Sequence, residues 1–220
     1  MQVCVCFQLH KRDEVGAKAM GERHPVGTTA VDDGSSTLYD SASQSGGLLF
    51  PDACSSQPIK DIEVRRTIPA DVDSLAALWA EMQRHYGQPV NDATAKAAAT
   101  AACRFSNNEF NPRTFVAISR KGGLVASLVL NVTFPARELS KSLYIRDLYV
   151  SRKWRRFGIA RSLLQAAASL TIAEGFSSLD WTTDASNVGA RSLYEGAGAR
   201  EMTRVYYRLY GTDLELAALA

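Results

Sequence analysis

The chain has 220 residues, of which 46% are hydrophobic and 22% are charged, and its formal net charge is +2 at pH 7. This composition is typical of a globular protein. No apolar run reaches the roughly 18 residues that a transmembrane helix needs, so we expect no membrane partner. The nearly balanced charge gives no reason to expect a nucleic-acid partner either.

The cysteine content argues against a disulfide framework. The cysteines are few and scattered, at Cys4, Cys6, Cys54 and Cys103, whereas disulfide scaffolds carry regularly spaced pairs. No cluster of His, Cys, Asp and Glu has the spacing of metal ligands, so we expect no metal site. We therefore expect reduced thiols in a cytoplasmic protein.

The composition changes near residue 58. Residues 1–58 are rich in Gly and Ser and lack a sustained apolar period, as is typical of flexible segments. We expect a disordered low-complexity extension over 1–58 and one domain over 59–220. A natural start at Met20 or later and a targeting role are alternative explanations of the extension, although its apolar opening lacks the features of a signal peptide.

Hydrophobic spacing predicts a mixed α/β sheet in the order β-α-α-β-β-β-α-β-α-β. In the first helix, Val72, Leu75, Trp79 and Met82 recur at intervals of three and four, which places them on one face. Turn residues such as Lys121-Gly122-Gly123 separate the strands. The predicted strands are 62–68, 114–119, 124–132, 142–150, 178–183 and 204–210. The predicted helices are 69–86, 91–105, 159–173 and 187–195, and 213–220 is a further helical candidate.

The most informative segment joins a predicted strand to the long helix. It reads Ser151-Arg152-Lys153-Trp154-Arg155-Arg156-Phe157-Gly158-Ile159-Ala160. The first turn of a helix has backbone N–H groups without intrahelical partners and a partial positive charge, which suits a pyrophosphate. Gly158 and Ala160 let the backbone approach such an anion closely. A solvated basic loop before an ordinary helix is the alternative explanation.

A second segment lies downstream, where Asn187 is predicted to cap a short helix. Tyr194 follows Asn187 by seven residues, about two helical turns, so the two side chains share a face. Taken alone, this pattern is explained by a helix cap and a half-buried packing residue.

Together the two segments resemble motifs of the GCN5-related N-acetyltransferases, the GNAT superfamily. Arg155-x-x-Gly158-x-Ala160 is similar to the acetyl-CoA signature of that family, and Asn187-x-x-Ala190-x-x-x-Tyr194 followed by Gly198-Ala199 is similar to its later motif. The resemblance covers about residues 60–210. It implies a single domain with a mixed, mostly antiparallel sheet flanked by helices, and it implies a homodimer.

The resemblance also implies where acetyl-CoA binds, namely in an opening between strand 142–150 and strand 178–183. Backbone groups of Leu148 and Val150 would pair with the pantetheine as an added strand does. The N–H groups of residues 156–160 would hold the pyrophosphate, and Asn187 would bind the pantetheine chain. The cofactor-binding residues so implied are Leu148, Tyr149, Val150, Arg155, Arg156, Phe157, Gly158, Ile159, Ala160 and Asn187. Arg156 stands where many family members have Gly.

The family chemistry is direct attack of an amine on the thioester, and the resemblance assigns Tyr194 as the acid that protonates the departing thiolate. An alkyl ammonium must first lose a proton, which costs about 4–5 kcal/mol at pH 7. Asp147 is the candidate base, although it is equally well explained by a structural ion pair with Arg146 or Arg65.

The segment from Leu143 to Val150 resembles the diamine and polyamine acetyltransferase branch, which carries two adjacent acids here. In this sequence Arg146 replaces the first acid and Asp147 remains. Since Arg146 would repel a dication, an amine that also carries a carboxylate fits better. In a regular strand, neighbouring residues point to opposite faces, so both serve one pocket only if a bulge intervenes.

The leading hypothesis is therefore an N-acetyltransferase acting on a small-molecule primary amine, either amino-acid-like or a di- or polyamine. A protein α-amine or lysine as acceptor and a non-catalytic acyl-CoA-binding module are the alternatives. Tyr86 and Arg146 are candidate substrate residues. Further candidates for the pocket are Glu81, Arg84, Asn131 and Arg137. We expect His85 at the surface and Cys103 in the core.

Overall fold

The computed structural model describes residues 61–104, 108–121 and 123–219, so the predicted extension and Gly122 lie outside the described residues. The strands are β1 (Ile62–Arg66), β2 (Arg113–Ser119), β3 (Gly123–Thr133), β4 (Ser142–Val150) and β5 (Leu179–Asp180). The helices are α1 (Val72–His85), α2 (Asp92–Ala102), α3 (Ile159–Ala173), α4 (Val188–Glu195) and α5 (Thr212–Ala217). Short 3-10 turns cover Pro69–Asp71, Arg137–Leu139 and Arg152–Trp154.

The five strands form one sheet in the order β1-β2-β3-β4-β5. Neighbouring strands are antiparallel except for β4 and β5, which are parallel. The predicted mixed, mostly antiparallel sheet flanked by helices is therefore confirmed.

Helices cover both faces of the sheet. On one face, Leu163 and Ala167 of α3 pack in a core cluster that contains Leu128 of β3 and Leu148 of β4. On the other face, α1 and α2 pack against β2, where Val116 is buried with Leu75, Ala99 and Cys103. Cys103 is a buried free thiol, as predicted.

Polar side chains fix the start of the two first helices. The Arg65 guanidinium donates to both carboxylate oxygens of Asp71, at 2.7 and 2.9 Å, directly before α1. The same carboxylate accepts from the Ile68 N–H at 2.8 Å. Asn91 caps α2, because its side chain accepts from the Thr94 N–H at 2.7 Å.

The sequence-based prediction of a last strand over 204–210 is wrong. Residues 201–210 are neither helical nor extended in a sheet, and their large side chains are exposed, Tyr207 by 87%. A strand needs a paired edge as well as β-branched and aromatic residues. The edge strand β5 has two residues where 178–183 was predicted, so it offers too short a partner.

In the described part of the chain, no helix is long and apolar enough to cross a membrane.

Candidate active site

The loop before α3 has the backbone conformation of an anion site. Arg156 and Gly158 have φ values of 71° and 75°, and Gly158 is the N-cap of the 15-residue helix α3. Among the described residues, no acceptor receives a hydrogen bond from the backbone N–H groups of residues 156–160. Unpaired N–H groups at a helix N-terminus favour a phosphate group. The residues present therefore fit the pyrophosphate of a CoA.

Side chains of this loop anchor it to the end of β4. Nε of Arg155 donates to the Val150 carbonyl at 3.0 Å, and the Arg155 guanidinium lies 5.7 Å from the centroid of the Tyr149 ring. The Trp154 and Phe157 rings are tilted against each other, with their centroids 6.4 Å apart. The structure thus places the Arg155 side chain against the protein, whereas Arg156 and Phe157 are exposed.

Glu81 of α1 accepts hydrogen bonds from the end of β4 and from the start of the same loop. Its carboxylate accepts from the Tyr149 hydroxyl at 2.9 Å, from the Ser151 hydroxyl at 3.2 Å and from the Arg152 N–H at 3.4 Å. Burial, and then the hydrogen bond and charge of Glu81, raise the pKa of Tyr149 to about 12. Sequence reasoning named Glu81 only as a pocket residue, and no local pattern connects it to residues about 70 positions away.

His85, one turn after Glu81 on α1, also lies near this basic loop. Partial desolvation is the main cause of its lowered pKa, followed by the charges of Arg155 and Arg152. Its side chain is exposed, as predicted.

One edge of β4 is open beside the loop. β5 pairs only with Leu143 and Tyr144 of β4, and within the described ranges no strand pairs with this edge from Ile145 to Val150. The Ser151 N–H bonds to Val125 of β3 at 2.9 Å, so the preceding Val150 carbonyl faces the opposite, open edge. Since alternate residues of a strand direct their backbone groups to one edge, Leu148 also faces it. This edge suits an extended amide-containing chain such as pantetheine.

Asn187 and Tyr194 lie near the two ends of α4. Asn187 is the N-cap, and its side chain accepts from the Ala190 N–H at 3.2 Å. Tyr194 is 5% exposed and belongs to the core cluster beneath α3. Its ring centroid lies 5.0 Å from that of Trp181, which follows β5.

A bulge interrupts β4 at the candidate base. Val129 pairs with Asp147 but Leu130 pairs with Ile145, so Arg146 is one extra residue in β4. Arg65, one of the partners considered for Asp147, forms an ion pair with Asp71 at 2.7 Å. Asp147 is half-buried and Arg146 is exposed.

The other predicted pocket residues lie at separate places. Tyr86 ends α1 and is half-buried, and its ring contacts His85 at 5.1 Å. Asn131 pairs with Tyr144 across β3 and β4 and is half-buried. Arg84 and Arg137 are exposed. No group of three or more His, Cys, Asp or Glu side chains in the described ranges is arranged to hold a metal ion.

A cavity of about 330 Å³ lies at the other end of the sheet. Its charged side chains are ion-paired, Arg113 with Glu174 and Lys141 with Glu109, each at 2.5 Å. It is lined in addition by Phe134 and Leu139, among others. Its residues belong to neither motif.

Comparisons with known proteins identify the family and the fold. A model of the acetyltransferase (GNAT) family matches residues 75–199, more than half of the chain. An integron cassette protein from the mobile metagenome of V. cholerae is 25% identical with a TM-score of 0.62, over 73% of this chain and 99% of that one. No curated protein matches the sequence.

Two further solved structures show the same fold. An aminoglycoside N-acetyltransferase in complex with CoA is 15% identical with a TM-score of 0.56, over 68% of this chain and 94% of that one. A ribosomal-protein-alanine N-acetyltransferase from Brucella melitensis is 18% identical with a TM-score of 0.55, over 68% of this chain and 99% of that one.

Proposed function

The chain belongs to the GNAT family of acetyltransferases, and on that premise we propose that it transfers an acetyl group from acetyl-CoA to a primary amine of a small molecule. The observation that carries the proposal is the juxtaposition of the unpaired N–H groups of residues 156–160 with the open edge of β4. A fold neighbour that is an aminoglycoside N-acetyltransferase supports an amine on a small molecule as the acceptor.

Acetyl-CoA supplies an activated acetyl group as a thioester. The N–H groups of residues 156–160 hold its pyrophosphate, with Arg156 and Phe157 exposed beside it. Leu148 presents its backbone groups to the pantetheine along the open edge of β4. Val150 contributes its N–H there, since its carbonyl already accepts from Arg155. Asn187 contributes its amide from the start of α4.

Two side chains of this chain handle protons in the reaction. A nitrogen–carbon bond forms between the amine and the acetyl group as the carbon–sulfur bond breaks. Asp147, directly or through water, takes the proton that the ammonium must lose. Tyr194 donates a proton to the departing sulfur, giving free CoA, and a positioned acid of this kind contributes about 10²–10⁴ in rate.

We further propose that the protein is a cytoplasmic homodimer. The exposed apolar side chains after residue 200 support self-association, because contiguous exposed apolar surface marks interaction sites. These side chains include Met202, Val205, Tyr206, Tyr207, Leu209 and Tyr210. Light scattering should give the mass of two chains, and the mass of one chain would rule the dimer out.

The test is acetyl-CoA-dependent thiol release with diamines, polyamines, amino acids and a lysine peptide, against a blank without amine. We expect release with small amines, and we expect Tyr194→Phe to lower kcat at least about tenfold with acetyl-CoA affinity little changed. Tyr206→Phe, in an exposed tyrosine, is the matched control.

Each of the other outcomes would support a different function or acceptor. Release with the peptide alone would support a protein acceptor. Binding of acetyl-CoA without release for any amine would support a non-catalytic module. Release with diamines in preference to all other amines would support the diamine and polyamine branch.

A further inference from the structure

The bulge in β4 determines which side chains share a face of the sheet. The pairing of β3 with β4 changes register by one residue along the strands. One register covers Ala126 to Val129 of β3, and the other covers Leu130 to Thr133. The extra residue in β4 is Arg146. A bulge of this kind puts two residues of one strand opposite one residue of its partner and changes the alternation of faces.

Burial shows where the two residues of the bulge lie. Ile145 and Leu148, on either side of them, are fully buried in the core cluster beneath α3. Asp147 pairs with Val129, which alternates with the core residues Leu128 and Leu130 and so lies on the opposite face. Arg146 is exposed rather than buried in that core. Arg146 and Asp147 therefore both lie on the face away from α3.

Helix α1 covers only part of that face. Trp79 donates its Nε1–H to Ser127 at 3.0 Å, and Tyr149 is buried against Leu78 and Met82 of α1. Farther along the strands, Asn131 and Tyr144 are half-buried, as is Asp147. This partly exposed polar stretch of the sheet lies next to the open edge of β4. It offers a surface that an acceptor can contact.

We propose that the acceptor carries an acid group beside its amine, as an amino acid does. Arg146 binds the carboxylate, since a guanidinium matches a carboxylate in charge and in hydrogen-bonding geometry. Asp147 lies next to the ammonium group. A diamine would place its second ammonium near Arg146, where like charges repel. This inference rests on the proposed acetyl transfer and adds the class of the acceptor to it.

The test compares amines that differ only by a carboxylate: lysine with cadaverine, ornithine with putrescine, and phenylalanine with phenethylamine. The readout is kcat/KM for acetylation, measured by mass spectrometry of the product. We expect the acid member of at least one pair to be favoured by about tenfold or more, the value of one ion-paired hydrogen bond. Preference for the decarboxylated member in every pair would overturn the inference and leave acetyl transfer intact.

Charge reversal at Arg146 tests whether this residue binds the carboxylate of the acceptor. Arg146→Glu should remove the preference for the acid and improve the diamines, and the milder Arg146→Gln should lower the preference without reversing it. Arg120→Glu, at an exposed position after β2, is the matched control and should leave the preference unchanged. Unchanged preference in both Arg146 variants, with acetyl-CoA affinity retained as the measure of folding, would overturn the role of Arg146. Absence of product from all six amines would overturn the inference together with the small-molecule acceptor.

Discussion

Glu81→Ala removes the carboxylate that joins α1 to the end of β4 and to the start of the loop before α3. Tyr149 is 1% exposed and donates to Glu81 at 2.9 Å, so the variant leaves a buried hydroxyl without its acceptor. Such a group costs about 1–3 kcal/mol. Ser151 is half-buried and Arg152 is exposed, so water can replace much of what those two donors lose.

We therefore expect Glu81→Ala to lower the free energy of unfolding by about 2 kcal/mol. In a domain of this size the expected fall in Tm is about 4–8 °C. Urea denaturation followed by the fluorescence of Trp79, Trp154 and Trp181 measures the change. Glu195→Ala, which removes an exposed glutamate at the end of α4, is the matched control and should change stability by less than about 0.5 kcal/mol.

A double-mutant cycle with Tyr149→Phe isolates the hydrogen bond. Removing both partners of a buried hydrogen bond costs less than the sum of the single removals, because no polar group is left unpaired. We expect a coupling energy of about 1 kcal/mol or more. Additive effects of Glu81→Ala and Tyr149→Phe would refute the contribution of this contact to stability.

Substitutions at three further residues test other parts of the fold and site. The hydrogen bonds from Arg65 lower the pKa of Asp71, so Asp71 stabilises the fold above its ordinary pKa of 3.8 and loses that contribution as the pH falls through the lower folded value. Asp71→Asn should therefore reduce the acid sensitivity of unfolding, and an unchanged pH profile would contradict this. Asn187→Ala should lose about 1 kcal/mol of helix capping. Asn187→Ser should keep the cap yet bind acetyl-CoA more weakly, and wild-type binding by Asn187→Ser would leave Asn187 a cap alone. Arg156→Gly should stabilise the protein by about 1 kcal/mol in thermal unfolding, because its φ of 71° favours glycine. The control Arg152→Gly, in a 3-10 turn without positive φ, should give no gain, and equal effects would contradict the reasoning.

The elements with a strong local signal were predictable from the sequence. The spacing of Leu75 and Met82 gives one buried face of α1, and both residues are buried there. Asn187 begins α4 as its predicted cap. These features depend on interactions within a few residues of the chain, which sequence patterns record.

Features that depend on distant partners were not predictable in the same way. The segment 204–210 has strand-forming residues, but the two-residue strand β5 is too short a partner for it, and so it stays out of the sheet. The bulge at Arg146 depends on the register between β3 and β4, which nothing within β4 alone determines. The contacts of Glu81 with Tyr149 and Ser151 join α1 to the end of β4, and no spacing along the chain reports them.

The proposed activity is the transfer of an acetyl group from acetyl-CoA to an amine. The most direct measurement is mass spectrometry of amines incubated with the protein and isotope-labelled acetyl-CoA. We expect a labelled N-acetyl amine and an equal amount of free CoA, both reduced at least about tenfold by Tyr194→Phe. Free CoA without an acetylated amine, or equal product from wild type and Tyr194→Phe, would contradict it.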